Sequence, residues 1–73
     1  MNWDRIQGNW KQVAGNAKIQ WANLTDDDVE VVAGQRELLA GRIQERYGIV
    51  KEEAERQVAE WQDKATESWF EKG

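Results

Sequence analysis

Apolar residues recur every three or four positions along this chain, which is the spacing of one face of an α-helix. At 100° per residue, the first stripe falls within an arc of roughly 100° and predicts a helix over residues 3–22. Its members are Trp3, Ile6, Trp10, Val13, Ala14, Ala17, Trp21 and Leu24. Gly8 and Gly15 fall within this helix, and each weakens it by about 1 kcal/mol relative to alanine. Close approach of another helix would explain both glycines.

The same periodicity predicts three further helices, over residues 26–33, 35–47 and 51–69. Thr25 suits the start of the second helix, because its hydroxyl can accept a backbone N–H from the first turn. Gly34 and Gly48 suit helix ends, where a left-handed residue is commonly required. The whole chain is therefore predicted to be helical.

A helix–turn–helix pattern occurs twice. Residues 21–28 and 47–54 each contain an aromatic residue, a small residue, a spacer, an aliphatic residue, a polar residue and two acids. The repeat pairs the first helix with the second and the third with the fourth. We therefore expect an all-α fold of four or five short helices, built as two crossed helical hairpins over a tryptophan-rich core.

Composition limits the chemistry that is available. The 73 residues suit one domain spanning positions 1–73, without a proline-rich or glycine-rich linker. There is no cysteine and no histidine, so thiolate metal sites and histidine catalysis are excluded. Ser68 has no candidate base nearby, and the acids fall on polar helix faces. We therefore predict no catalytic, cofactor-binding or metal-binding residues, and no enzymatic activity.

The acidic run Asp26–Asp28 with Glu30 offers the clustered oxygen ligands that a hard cation prefers. Calcium loops need acids at alternating positions around a central glycine, and this run has neither feature. Helix capping is the better interpretation. Asp28 follows Thr25 by three residues, as in a variant of the capping box, and all three aspartates suit the positive end of the helix dipole.

Two patterns suggest nucleic acid binding and are better explained otherwise. Residues 47–54 resemble a helix-hairpin-helix turn, in which backbone N–H groups approach a phosphate. Val50 stands where that motif has glycine, and Glu52 and Glu53 repel phosphate. The five tryptophans could form a stacking platform for single strands. A stripe that mixes aromatic and aliphatic residues is more typical of a core, so the turn and the indoles are both interpreted as structural.

Among the aromatic residues, Trp10, Trp21 and Trp61 are predicted to lie in the core. Trp3, Trp69 and Phe70 lie near the chain ends, where they could form an exposed contact patch.

Charge is unevenly distributed. The net charge is −4; residues 1–24 carry +2, from three bases against one acid, and residues 25–73 carry −6, from seven bases against thirteen acids. An acidic body repels phosphate backbones and anionic lipids. Only the first helix is basic. The alternative functional hypothesis is therefore a nucleic-acid or membrane-surface module whose contacts are Arg5, Lys11, Lys18 and Gln12.

Several blocks resemble the CsbD-like family of small bacterial stress proteins. They are Gly8–Gln12, Gly15, Trp21, Leu24–Asp28, Gly34, Gly41–Gly48, Ala54-Glu55 and Trp61. The resemblance implies a helical fold similar to a SAM-like array of two crossed hairpins, expression under general stress, and no catalytic residues. The favoured hypothesis is thus a non-enzymatic bacterial stress-response protein, acting by protein contact or as a soluble protective factor.

The expected setting follows from what the chain lacks. No run of about 18 apolar residues is present, so no membrane span is expected. Residues 1–5 lack a signal-peptide pattern, so the cytoplasm is the expected location. No cofactor is expected. The expected partner is another, unidentified protein, and the expected state is a monomer or a weak oligomer.

Overall fold

The computed structural model describes residues 3–65 and 67–70, and in them it contains five α-helices, one short 3₁₀ helix and no strands. The helices are α1 (Trp3–Gly8), α2 (Trp10–Gln20), α3 (Asp26–Val32), α4 (Arg36–Tyr47) and α5 (Lys51–Asp63), followed by the 3₁₀ helix Glu67–Phe70. The all-α class is confirmed. Contacts join α2 to α3 and α4 to α5, the two predicted pairs, and also α3 to α4. The SAM-like crossing of these pairs stays a prediction.

The first predicted helix is divided in two. Asn9 leaves the helical region, with φ −117° and ψ 29°, and its side-chain amide donates to the carbonyl of Arg5 at 2.9 Å. Asparagine favours such local bonds over helix continuation, and the neighbouring Gly8 has low helix propensity. The prediction of one continuous helix over residues 3–22 is therefore wrong. Its apolar stripe is retained, because Ile6, Val13 and Ala17 are all buried.

The last predicted helix is shorter than expected. It ends at Asp63 instead of Trp69, and the 3₁₀ helix that follows returns to contact α2. Trp69 thereby packs on Trp61, with ring centroids 5.2 Å apart. A straight continuation of α5 would carry Trp69 about 12 Å along the helix axis from Trp61, at 1.5 Å per residue. The bend therefore buries an aromatic side chain.

Trp61 is the centre of the core, and only 2% of it is exposed. Its ring lies 5.2–6.5 Å from those of the other four tryptophans. Aromatic pairs at such separations add about 0.5–1.5 kcal/mol each beyond simple burial. Three indole N–H groups also bond to distant segments: Trp3 to the carbonyl of Gly34, Trp10 to the carbonyl of Val29, and Trp21 to Gln57. The predicted tryptophan-rich core is thus observed.

The two turns of the sequence repeat differ in length by two residues. α2 is followed by Trp21 and three further residues before the N-cap Thr25, whereas α4 is followed by Gly48 and Ile49 before the N-cap Val50. Gly48 adopts φ 64° and reverses the chain at once. The structural counterpart of buried Leu24 is therefore Ile49, which packs against the core, and Val50 is 64% exposed.

Gly34 is required where α1 passes the α3–α4 turn. It follows the left-handed cap Ala33 and itself adopts φ 80°. A Cβ atom on Gly34 would lie 3.0 Å from Cγ and 3.1 Å from Cα of Gln7. By contrast, a Cβ atom on Gly8 or Gly15 would meet nothing within 4 Å. The expectation that those two glycines permit close helix packing is therefore wrong, and the close approach occurs at Gly34.

A pair of glycine substitutions tests this difference. Gly34→Ala should lower the free energy of unfolding by about 1–2 kcal/mol, because alanine is strained at positive φ and would also crowd Gln7. Gly15→Ala should raise it by about 0.5–1 kcal/mol, because the position is helical and open. Urea unfolding followed by circular dichroism measures both. A neutral Gly34→Ala variant would contradict the described contact between α1 and the turn.

Candidate interaction surface

The cations that were predicted to form one basic side do not form a free basic face. The guanidinium carbon of Arg5, on α1, lies 4.5 Å from the centroid of the Phe70 ring, within the range of a cation–π contact. Lys18, on α2, forms a salt bridge with Asp26 at the start of α3. Lys11 is exposed and forms no ion pair with any residue that the structure describes. One of the three cations is therefore unpaired.

Gln12, the fourth predicted contact, is turned inward. Its side-chain oxygen is buried and accepts no hydrogen bond within residues 3–65 and 67–70. It lines an open hollow of about 380 Å³ at the break between α1 and α2, together with the neighbouring residues Gln7–Lys11. This side-chain oxygen is an acceptor and cannot bind a phosphate oxygen, and the neutral amide adds no positive charge to the basic side.

The more distinctive surface is an open groove of about 350 Å³ between α2 and α3. We call it the α2–α3 groove. It is lined by Trp10, Lys11, Ala14 and Lys18 from α2, and by Asp26, Val29 and Glu30 from α3. Lys11, Ala14 and Lys18 follow one another at three- and four-residue spacing along α2, and Asp26 lies three and four residues before Val29 and Glu30 on α3. The groove combines an apolar floor with a basic wall and an acidic wall.

The floor of the groove is held in place by Trp10. Its indole Nε1 donates to the carbonyl of Val29 at 2.8 Å, which links α2 to α3. The same indole packs edge-on against Trp61, with centroids 6.5 Å apart. Trp10 is half-buried. One part of its ring thus belongs to the core, and another part presents a fixed apolar surface to the groove.

The charged residues of the two walls are paired unequally. Lys18 and Asp26 are paired with each other. Lys11 and Glu30 are both exposed and make no ion pair within the described part of the chain. The groove therefore offers one uncommitted positive charge and one uncommitted negative charge on opposite walls.

The acidic run caps α3 as predicted, and Asp28 has a second role. The Thr25 hydroxyl accepts from the Asp28 backbone N–H at 3.1 Å, and the Asp28 carboxylate accepts from the Thr25 N–H at 3.0 Å, which confirms the capping box. Asp26 and Asp27 are exposed, whereas only 2% of Asp28 is exposed. Within the described residues, no three or more acids are grouped so as to hold a metal ion.

Sequence reasoning missed the partner of Asp28. Arg46 donates two hydrogen bonds to its carboxylate, from Nε at 2.8 Å and from Nη2 at 3.0 Å, and Arg42 lies 3.6 Å from it. The hydrogen bonds from Arg46, followed by that from the Thr25 backbone, lower the pKa of Asp28 from 3.8 to about 2. The contact joins the Leu24–Asp28 block to the Gly41–Gly48 block. Their joint presence in the sequence was the signal that could have revealed it.

The remaining candidate features belong to the fold. Tyr47, at the end of α4, accepts a hydrogen bond at its hydroxyl from the backbone N–H of Asn23, which ties the two repeated turns together. Trp3, Trp69 and Phe70 are half-buried and pack against the core. The side chain of Ser68 lies outside the described part of the structure. No helix in the described ranges is long and apolar enough to cross a bilayer.

Comparison with known proteins identifies the family. Residues 4–56 match the model of the CsbD-like family. The chain belongs to the CsbD-like family. It is 55% identical over 69 residues to UPF0337 protein ECA0631 of Pectobacterium atrosepticum, covering 94% of this chain and 100% of that protein. It is 49% identical to UPF0337 protein YjbJ of Salmonella typhimurium, covering 94% of this chain and 99% of that protein. It is 48% identical to UPF0337 protein YjbJ of Escherichia coli K12, covering 94% of this chain and 100% of that protein.

These comparisons confirm the family resemblance and add no activity. No solved structure matches the chain. The names of the three relatives state neither a substrate nor a partner. The motifs that carry the resemblance form the α3 cap, its arginine partner and the tryptophan core, and these are features that maintain the fold.

The Asp28 contact predicts a pH dependence for this CsbD-like chain. Because the folded pKa lies below the ordinary value of 3.8, this contribution to stability is complete above about pH 4 and is lost as the pH falls towards 2. Asp28→Asn should lower the free energy of unfolding by about 1–2 kcal/mol at pH 7. The substitution removes the negative charge that accepts the hydrogen bonds of Arg46, and the effect is moderate because that guanidinium is partly exposed.

Urea unfolding of both forms between pH 7 and 2 measures this effect. The difference between wild type and Asp28→Asn should shrink as the pH falls from 4 to 2. Asp27→Asn, at an exposed position in the same helix turn, is the matched control and should differ from wild type by less than about 0.5 kcal/mol. If the difference in free energy of unfolding between wild type and Asp28→Asn stayed constant down to pH 2, the charge of Asp28 would contribute nothing to stability.

Proposed function

We propose that this CsbD-like protein is a non-enzymatic member of the bacterial general stress response, working in the cytoplasm as one domain. It acts on other proteins by direct contact and helps to keep them soluble and folded under stress. The observation that carries this proposal is the α2–α3 groove, whose rigid indole floor is open to solvent beside unpaired charges. Such a surface suits a polypeptide ligand, because a polypeptide presents apolar and charged groups together.

The position of the groove supports contact without rearrangement. Trp10 is held by the carbonyl of Val29 and by the core, so a ligand would not have to order it. Binding to a preformed surface loses less conformational entropy than binding to a mobile one. The groove holds only one or two side chains at its volume of about 350 Å³, which favours weak and reversible contacts.

The alternative hypothesis, binding of nucleic acid or a membrane surface through the first helix, has less support. Of its three cations, Lys18 is neutralised by Asp26, and Arg5 lies on the opposite helix segment against Phe70. Glu30 lies across the groove from Lys11. A single unpaired lysine beside an acid, on a chain of net charge −4, gives a weak electrostatic attraction for phosphate.

A client-protection assay tests the proposal. Lactate dehydrogenase is dried and rehydrated, or heated, with and without an equal mass of the CsbD-like protein. We expect the added protein to raise the recovered enzyme activity and to lower light scattering by aggregates. Lysozyme at equal mass is the control for nonspecific crowding. Crosslinking during the treatment should trap the two chains together.

Two results would oppose contact as the mechanism. Recovery no better than with lysozyme would remove the protective role. Protection without any crosslinked product would indicate an action through the solvent. Fluorescence anisotropy with single-stranded DNA and sedimentation with anionic liposomes test the alternative hypothesis, for which binding should weaken steeply as salt is added.

A further inference from the structure

We infer that the α2–α3 groove binds a segment of another protein that carries one apolar side chain between an acidic and a basic residue. This inference rests on the proposed function, because it names the partner chemistry of the same surface. The occupant is a convex, mixed-charge polypeptide, such as one turn or two of an amphipathic helix.

The apolar requirement follows from the floor. Trp10, Ala14 and Val29 line it, and the indole is fixed by its bond to the Val29 carbonyl at 2.8 Å. That bond uses the indole N–H, and the Val29 carbonyl already accepts from the backbone of Ala33 as well. The indole N–H and the Val29 carbonyl are therefore both already hydrogen-bonded, and neither is available to a ligand. An aliphatic or aromatic side chain is the group that gains most by covering it.

The charge requirement follows from the walls. Lys11 and Glu30 are unpaired within the described residues, although they line the same groove. An acid on the partner can approach Lys11 while a base approaches Glu30. A purely acidic segment would meet Glu30 with a like charge, and a purely basic segment would meet Lys11 in the same way. Like charges placed together at an interface disfavour the wrong partner.

The Lys18–Asp26 pair sets the direction of the contact. It links α2 to the start of α3, and its charges are already satisfied. The unpaired charges come from Lys11, near the start of α2, and Glu30, near the end of α3. The specific part of the contact is therefore expected at those ends of the two helices, beside Trp10.

Three designed peptides test this inference. Each is a 15-residue alanine-rich helix with a central leucine, flanked by one glutamate and one lysine, by two glutamates, or by two lysines. The mixed peptide should bind wild type about three- to tenfold more tightly than either single-sign peptide, as measured by calorimetry. In a proton–nitrogen NMR spectrum, its binding should shift the Trp10 indole N–H resonance.

Charge reversals should redirect the preference. In Lys11→Glu both free wall charges are negative, so the peptide with two lysines should become the tightest ligand. In Glu30→Lys both free wall charges are positive, so the peptide with two glutamates should become the tightest ligand. Lys51→Glu and Glu55→Lys make the same changes in net charge at exposed sites on α5, outside the groove. Both control variants should keep the wild-type preference for the mixed peptide.

Each result decides the matter. Equal shifts in preference for the groove variants and the control variants would show that net charge alone is sensed, which overturns the inference. It is also overturned if no peptide moves the Trp10 resonance, or if sedimentation shows a dimer of this chain whose dissociation on dilution moves that resonance. Client protection that is unchanged by Lys11→Glu and Glu30→Lys would leave the proposed function standing and place the contact elsewhere.

Discussion

The packing of four indoles around Trp61 is the constraint on which the rest of this molecule depends. A chain of 73 residues without cysteine has a small core and cannot add disulfides to it. Large rings compensate, because each can bury about 150–250 Å². Because α5 ends at Asp63, the 3₁₀ helix that follows can bring Trp69 back to Trp61. This departure from simple periodicity thus serves the core.

Polar contacts then fix how the helices meet around that core. Asp28 receives the Thr25 cap on its own helix and two hydrogen bonds from Arg46 on α4. A buried carboxylate with these partners stays ionised, and it orients α3 against α4 more specifically than apolar packing alone can do. The Tyr47 hydroxyl links the two repeated turns, and the indole of Trp21 links the first turn to Gln57 on α5. The motifs shared with the CsbD-like family serve this framework.

The α2–α3 groove results from the same arrangement, and it is the surface that we propose for binding. Trp10 is half-buried and packs edge-on against Trp61, so part of its ring remains at the surface. The helical period places lysines on one side of it and acids on the other. Among the residues that the structure describes, Lys18 and Asp26 pair across the groove, whereas Lys11 and Glu30 form no ion pair, so the surface keeps a charge of each sign there.

Much of the fold could be predicted from the sequence, because it depends on local rules. The apolar stripes identified the buried faces of the helices, and Thr25 with Asp28 identified the start of α3, since a helix period and a cap are properties of neighbouring residues. The candidate site could be predicted less well. The sequence indicates that Lys11 and Lys18 lie on a basic first helix, but the acids that face them lie on another helix.

Tertiary structure alone decided the remaining features. Whether Asp28 meets Arg46, whether Lys18 is neutralised by Asp26, and whether Gly34 rather than Gly15 admits a passing segment all depend on distances between residues far apart in the chain. A sequence pattern records which side of a helix a residue occupies. It does not record which helix lies opposite, because that choice is made by packing the whole set of indoles into one small core.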